Sequence, residues 1–331
     1  MSETTQEALE QILSLATGEN SGNDSHPNSS YLKLPGNKKR IAGNIAKIAK
    51  QLIEVQFYKH HTAKYNKTIY IEPFLGSGSV LFEIKKQKLF KQYLGSDKDA
   101  ELINILIVTR DNKEELVRQL NSLIIRLKKT QPYTLFGEIR DVYRAGIEDN
   151  TKRAAAALFL NRTTYNGLWP RISNPGPVIN WHFPTKSTIY KTSNLLQNVE
   201  LKVSNYKEVI SAATKNSIIY IDPPYLTTNN VNYPSVFYIK DHIDLLGRIL
   251  QAAARRAGVI ATLEGTPWFE RAYGSFCSLE RFSWYTTAGR RKGRPGLQAA
   301  GLLATSIPFN NKGRGGGRNW ISMQLFKRKT L

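Results

Sequence analysis

A single cysteine, Cys277, and five histidines are all that this chain of 331 residues carries of the sulfur and imidazole metal ligands. One cysteine excludes an internal disulfide and any cysteine-rich zinc site. The histidines are scattered, and His60 and His61 are adjacent rather than at helical ligand spacing, so no metal is expected. No apolar run is long enough to span a bilayer, and no stretch resembles a signal peptide. The chain is therefore expected in the cytoplasm or on the nucleoid, away from membranes. Acid is also scarce: 26 Asp and Glu stand against 47 Lys and Arg, a formal net charge of +21. So large an excess points to a polyanion, most simply nucleic acid, over a merely solvated basic surface.

What the chain does have centres on Ser217-Ile218-Ile219-Tyr220-Ile221-Asp222-Pro223-Pro224-Tyr225. The first five residues read as a buried strand. Proline has no N–H and a fixed φ, so Pro223 and Pro224 end the ladder and leave a rigid turn offering only carbonyl acceptors. The Asp222 carboxylate adds further acceptors, and Tyr225 adds a flat ring. Such a strand end suits a planar group that donates hydrogen bonds, such as the exocyclic amine of a base. The competing reading is a plain proline turn with Tyr225 as packing.

In chain order, residues 1–30 are polar and expected to be a disordered tail, with a short helix over 6–16. The segment from Lys33 through Leu34-Pro35-Gly36-Asn37-Lys38 is a compact basic turn, followed by a helix with apolar positions at Ile41, Ile45, Ile48 and Leu52. Thr68 to Ile71 read as a strand running into Glu72-Pro73-Phe74-Leu75-Gly76-Ser77-Gly78-Ser79 and a helix from Val80. Strand, glycine turn and helix make a cradle in which backbone approaches a ligand and a helix N-terminus favours an anionic group. By itself the motif weighs no more than a tight strand-to-helix turn. A third strand, Tyr93 to Ser96, ends at Asp97-Lys98-Asp99. An acid there commonly takes a ribose hydroxyl pair, Asp97 before Asp99, although a helix cap is the alternative.

Leu116–Leu127 and Thr151–Leu160 read as helices, followed by a loop from Asn161 to Arg171 mixing Arg, Asn and aromatics. Its Asn166-Gly167 suggests a hairpin turn, and Arg and Asn are side chains that read base edges. Strand pattern returns at Val199–Val203 and Val259–Thr262, with a helix over Tyr238–Leu250 between them. The end of the chain is basic and glycine-rich, a composition that favours disorder.

The order of these motifs resembles the Dam-type (alpha group) S-adenosylmethionine-dependent DNA adenine-N6 methyltransferases, over residues 31 to about 275. The resemblance implies an α/β fold: a Rossmann-like class I methyltransferase sheet with helices on both faces and an inserted, mainly helical target-recognition domain. The catalytic domain would comprise 31–110 and 186–289, the recognition domain 111–185, and 290–331 a basic tail of uncertain order. It implies Asp222, Pro223, Pro224 and Tyr225 as the catalytic loop. It implies Pro35, Gly36, Asn37, Lys38, Glu72, Phe74, Gly76, Gly78, Asp97 and Asn205 around the S-adenosylmethionine cofactor. Lys33, Arg162, Tyr165, Asn166, Leu168 and Arg171 would meet duplex DNA. Leu34 stands where the family usually has Trp, Asn205 where it usually has Asp, and Pro170 adds a residue before Arg171.

The implied reaction is methyl transfer to N6 of an adenine flipped out of the duplex, with GATC the family's guess at a site, by a monomer without metal. Two other readings stay open at this level. RNA adenine could be the substrate, although many RNA and protein relatives place Asn at the first catalytic position. The chain could also be a silent DNA-binding protein that kept the fold.

Overall fold

The computed structural model describes residues 31–58, 68–167, 174–226, 237–275, 277–285 and 298–305, with Gln6, Glu7 and Glu10 besides. Seven strands form one sheet: β1 (Ile69–Glu72), β2 (Gln92–Asp97), β3 (Val199–Val203), β4 (Ser217–Ile221), β5 (Gly258–Glu264), β6 (Ser278–Tyr285) and β7 (Gln298–Thr305). Their order across the sheet is β3-β2-β1-β4-β5-β7-β6. The first five run parallel, and β7 is antiparallel to both neighbours. This is the doubly wound α/β arrangement expected from the motifs.

Alternation along the strands explains the two faces. Ile218 and Tyr220 of β4 join one core cluster with Tyr70, Tyr93 and Ile260, while Ile219 and Ile221 join another with Ile71, Val259, Ala261 and Leu263. Because strand side chains alternate, a run apolar at every position needs cover on both sides. The first face and the core cluster that extends outward from it are built with α1 (Ala42–Tyr58), α2 (Ser79–Lys86), α3 (Ala100–Asp111), α4 (Lys113–Ile125), α5 (Pro132–Ala145), α6 (Asn150–Thr163) and α7 (Lys186–Leu196). The second is covered by α8 (Tyr206–Ser211), α9 (Ile239–Ala254) and α10 (Pro267–Gly274).

The helices α4 to α6 come from the expected recognition insert, and their apolar residues run into the same core as α1 to α3. An ion pair reinforces the junction: Arg153 of α6 places Nε 2.8 Å from both carboxylate oxygens of Glu101 on α3. The helix α5 was not expected from the sequence. It starts with Pro132 in its first turn and buries Leu135, Phe136, Ile139 and Tyr143 along one stripe.

Residues 298–305, read from sequence within a basic tail, instead form β7 between β5 and β6, with Leu263 opposite Leu302. The rest of that tail, 290–297 and 306–331, lies outside the described residues, as do most of 1–30.

Chain order reverses between β1 and β4, the two strands on either side of the sheet's switch point. In open α/β sheets ligands bind beyond the carboxyl ends of the strands at such a point. The glycine turn after β1 and the Asp-Pro-Pro-Tyr turn after β4 both lie there.

Candidate active site

Each end of β1 and β4 is fixed by its neighbours. After β1, Leu75 N–H donates to the Ser96 carbonyl at 2.9 Å, and Gly78 N–H donates to the Leu75 carbonyl at 2.8 Å, closing the turn. Gly76 and Gly78 have φ of +50° and +70°, a region costly to residues with a Cβ. The turn ends on α2, whose first backbone amides open the cradle.

Asp97, at the end of β2, holds this turn. Its Oδ2 accepts from Gly76 N–H at 3.0 Å and its Oδ1 from Asp99 N–H at 3.0 Å. Burial raises its carboxyl above the ordinary range, with those two amides working against the rise. Asp99 instead caps α3, accepting from Glu101 N–H and Leu102 N–H. The two readings of a strand-end acid are thus divided between the pair: Asp97 borders the cradle and Asp99 caps the helix. Asn205 caps α8 in the same way, accepting from Lys207 N–H at 3.1 Å. It is exposed and follows Ser204, whose N–H donates to the Asp97 carbonyl at 3.0 Å, so it stands beside Asp97.

Glu72 has a different environment. It is 2% exposed, accepts from the Tyr70 hydroxyl at 2.8 Å, and takes the Leu81 N–H in the first turn of α2. Burial drives its carboxyl well above the ordinary range, the Tyr70 and Leu81 hydrogen bonds oppose that, and the Asp222 and Asp97 charges add to it. Phe74 stacks on Tyr206, with ring centroids 5.2 Å apart, and meets Phe237 edge-on at 5.9 Å.

The turn before α1 is tied to the cradle through one side chain. Asn37 Nδ2 donates to Ser77 Oγ at 2.9 Å, Ser79 Oγ donates to Asn37 Oδ1 at 2.9 Å, and the two serine hydroxyls are 2.9 Å apart. Pro35 and Gly36 lead into it, and the Gly36 carbonyl accepts from Lys38 Nζ at 2.8 Å. The sequence reading valued the glycines of this motif and passed over its serines, whose alternation with them was visible.

Lys38 connects the cradle and the Asp-Pro-Pro-Tyr turn. Its Nζ is 2.8 Å from Asp222 Oδ1 and 5.0 Å from the centre of the Tyr225 ring. Asp222 Oδ1 also accepts from Thr262 Oγ1 at 2.7 Å. Beyond Tyr225, Leu226 N–H donates to Glu264 Oε2 at 3.0 Å, a bond that fixes the exit of the loop to the end of β5. Pro223 is buried, and Pro224 and Tyr225 are partly exposed. Neither Thr262 nor Glu264 was singled out from sequence, because a threonine or an acid inside a strand pattern carries no local mark.

The expected DNA face is divided. Lys33 exchanges backbone bonds with the Asn161 side chain, at 2.9 and 2.8 Å, and its Nζ reaches the Thr164 carbonyl at 3.5 Å. Burial lowers the Lys33 ammonium below its ordinary range, and the Arg162 charge adds to that. Tyr165 is 55% exposed and lines a cleft with Lys33, Thr164, Gly176, Asn180 and Trp181. The Asn166-Gly167 pair sits in a short 3-10 turn, and Thr164 bridges Pro175 on the returning chain, a hairpin-like closure.

Arg162 does not share this face. It is 6% exposed in the last turn of α6, bonded through Nε to the His182 carbonyl, and burial pulls its pKa down to about 10. The sequence placed it in a loop; α6 continues through it and is buried nearly all round. Leu168 and Arg171 lie outside the described residues. Among the described residues no group of three His, Cys, Asp or Glu is placed to hold a metal, and no helix is long and apolar enough to cross a membrane.

A protein-family model described as D12 class N6 adenine-specific DNA methyltransferase matches residues 35–276. The Type II methyltransferase M.MjaIII of Methanocaldococcus jannaschii is 29% identical over 215 residues, covering 61% of this chain and 71% of that protein. The Type II methyltransferase M1.LlaDCHI of Lactococcus lactis is 26% identical over 230 residues, covering 64% and 77%. The DNA adenine methylase of Escherichia coli K12 is 24% identical over 243 residues, covering 67% and 82%.

Proposed function

The chain belongs to the D12 class of N6 adenine-specific DNA methyltransferases, and we propose that Asp222, Pro223 and Tyr225 receive the target adenine, with S-adenosylmethionine in the cradle after β1. The observation carrying this reading is the Lys38 ammonium, which rests against the Asp222 carboxylate and over the Tyr225 ring. Acceptor and ring already enclose a nitrogen that donates hydrogen bonds, the chemistry an exocyclic amine would bring.

The cradle suits the cofactor. A Cβ added at Gly76 would meet no protein atom within 4 Å, so open space adjoins that backbone. Each Asp97 oxygen accepts one backbone amide, and a carboxylate oxygen can accept a second hydrogen bond, so the pair could also take ribose hydroxyls. Gly76 and Gly78 would take the backbone-lined side, Phe74 an apolar edge, and Asn205 the adenine end. Asn37 would act through Ser77 and Ser79. When bound, S-adenosylmethionine supplies a methyl group activated on a sulfonium.

The adenine amine is a poor nucleophile because its lone pair is delocalised into the ring. Asp222 and the Pro223 carbonyl would accept its two N–H groups and draw the nitrogen out of conjugation. Tyr225 would hold the base plane after it has left the duplex stack. Preorganised acceptors of this kind act on charge that develops during attack, so they lower the barrier more than they tighten binding. Lys33 and Tyr165, on the cleft beside the hairpin, would meet the duplex, together with Asn166, Leu168 and Arg171. GATC is the first site to test.

Single-turnover transfer of labelled methyl to duplex DNA and to RNA tests the substrate. DNA should be the methylated polymer; transfer confined to RNA would reject this reading. Asp222→Ala should slow the transfer to DNA by at least roughly 10²–10³-fold, the scale for removing one preorganised electrostatic group. Asp222→Asn, which keeps shape and one acceptor, should fall between. A wild-type rate in Asp222→Ala removes Asp222 from the chemistry.

A further inference from the structure

Behind the Asp-Pro-Pro-Tyr turn a buried polar chain runs from Tyr220 of β4 through Thr262 of β5 to Asp222. Thr262, in the middle of β5, is 0% exposed, and Tyr220, two residues before Asp222 on β4, is 1% exposed. Thr262 Oγ1 stands 2.7 Å from Asp222 Oδ1, and the Tyr220 hydroxyl stands 2.8 Å from Thr262 Oγ1. Register brings them together, because β4 and β5 are parallel neighbours with Tyr220 opposite Ile260 and Ile221 opposite Ala261.

The direction of the chain follows from proton inventory. An ionised carboxylate only accepts, and a threonine hydroxyl has one proton. Thr262 therefore donates to Asp222, and Tyr220 donates to Thr262. Tyr220 keeps its proton: burial holds its phenol far above the ordinary range, and the Asp222 charge adds to that. Each donor polarises the next, which strengthens the terminal bond to the carboxylate.

Thr262 and Lys38 both meet Asp222 at Oδ1. Two partners converging on one oxygen restrict the rotation of the carboxylate. The Lys38 ammonium approaches from the turn before α1, where the Gly36 carbonyl also holds it, whereas Thr262 is embedded in the sheet. We propose that Thr262, oriented by Tyr220, is a positioning residue that anchors the Asp222 carboxylate in the orientation in which it meets the adenine amine. This rests on the reading of Asp222 as the acceptor of that amine.

The alternative is that Thr262 merely satisfies the buried Tyr220 hydroxyl. The two differ in what a conservative series does. Thr262→Val keeps the shape and loses the donor, but it also strands the Tyr220 hydroxyl in the core and so lowers the melting temperature. The double variant Thr262→Val with Tyr220→Phe removes both hydroxyls, leaves no stranded group, and still deprives Asp222 of its donor. Thr262→Ser keeps the donor.

Single-turnover methyl transfer to duplex DNA, with cofactor and DNA affinities and melting temperature measured alongside, reads all of these in the full-length chain. Expected are a loss of about 10–100-fold in transfer rate for Thr262→Val and for the double variant, the scale for removing a partner that orients a directly acting group. Both affinities should hold, and Thr262→Ser should recover most of the rate. Tyr220→Phe should show a smaller loss, because the threonine donor remains. A double variant that transfers at the wild-type rate while Asp222→Ala is slow overturns the proposal and leaves Asp222 in place. A serine variant as slow as the valine one overturns it too, since the donor alone would then not matter. If Asp222→Ala is itself at the wild-type rate, the reading on which the proposal rests has failed instead.

Discussion

At Gly76 and Gly78 two glycines with similar backbone angles face different surroundings. Gly76 (φ +50°) has open space where a Cβ would go, whereas a Cβ at Gly78 (φ +70°) would come within 3.0 Å of the Phe82 ring. Each replacement by alanine pays about 1–2 kcal/mol for the left-handed backbone. Gly78→Ala adds the conflict with Phe82, so it should lower the melting temperature more. Gly76→Ala adds no clash within the protein, so any loss of cofactor affinity beyond that shared strain reports a methyl group in the cofactor's way. Calorimetric titration with S-adenosylmethionine should show the larger affinity loss per degree of melting temperature for Gly76→Ala. Equal losses would place the cofactor away from Gly76. The glycines were legible in the sequence because their spacing follows a strand; which of them adjoins empty space was not, since that depends on where Phe82 turns. The same limit applies to Asp97 and Asp99, where side-chain direction alone separates cradle from cap, and to Arg162, whose residue type suggested DNA and whose helix face turned it inward.

The helix α9 bears on the catalytic loop through His242. Its ring lies edge-on between Phe237 and Phe269, with centroids 4.7 and 4.9 Å away. Burial pulls its pKa from 6.5 down to about 4, while the Pro224 carbonyl and the Asp241 charge work the other way. The folded state thus resists a proton that the unfolded chain accepts. Stability from this group is fully present above about 6.5 and is lost as pH falls toward about 4. Melting temperatures recorded from pH 7 to pH 4 should fall more steeply for the wild type than for His242→Phe, in which nothing titrates at this position. Parallel curves would show that His242 binds its proton as readily in the fold as in the unfolded chain. At this scale the strands β1, β2 and β4 were legible because buried parallel strands read as apolar runs closed by turn residues. The helix α5 was overlooked: Gly137 and the exposed Tyr133 dilute a stripe that the packing of Leu135, Phe136, Ile139 and Tyr143 makes plain. The strand β7 reads Gln-Ala-Ala-Gly-Leu-Leu-Ala-Thr, which lacks β-branched residues until its last position. Its antiparallel pairing with β5 and with β6, the strand just before it, decides its conformation.

For the molecule as a whole, the formal charge of +21 is the feature that the sheet and the site leave unexplained. A fold of this kind needs few cations for its chemistry, and only Lys38 among them touches the catalytic loop in the described structure. The remainder act at longer range, where attraction to phosphate is sequence-independent and screened by salt. Composition could therefore announce a polyanion without saying which bases are read, because base reading depends on a few side chains near the hairpin. Part of the charge is concentrated at the end of the chain: residues 306–331 hold Lys312, Arg314, Arg318, Lys327, Arg328 and Lys329 and no acid. If these cations sit on DNA phosphate, each phosphate they neutralise adds about 0.9 to the slope of log affinity against log salt. Replacing all six by Gln should make that slope shallower and weaken binding at low salt. The difference should shrink as salt rises, because screening removes what the substitutions removed. Single-turnover transfer at saturating DNA should be unchanged, since the catalytic loop and cradle lie elsewhere in the chain. Fluorescence anisotropy with a labelled duplex over a salt series reads the first two quantities, and rapid-quench methyl transfer reads the third. An unaltered slope would show that these six cations do not meet phosphate. A wild-type affinity that ignores salt would remove the electrostatic account of DNA binding altogether.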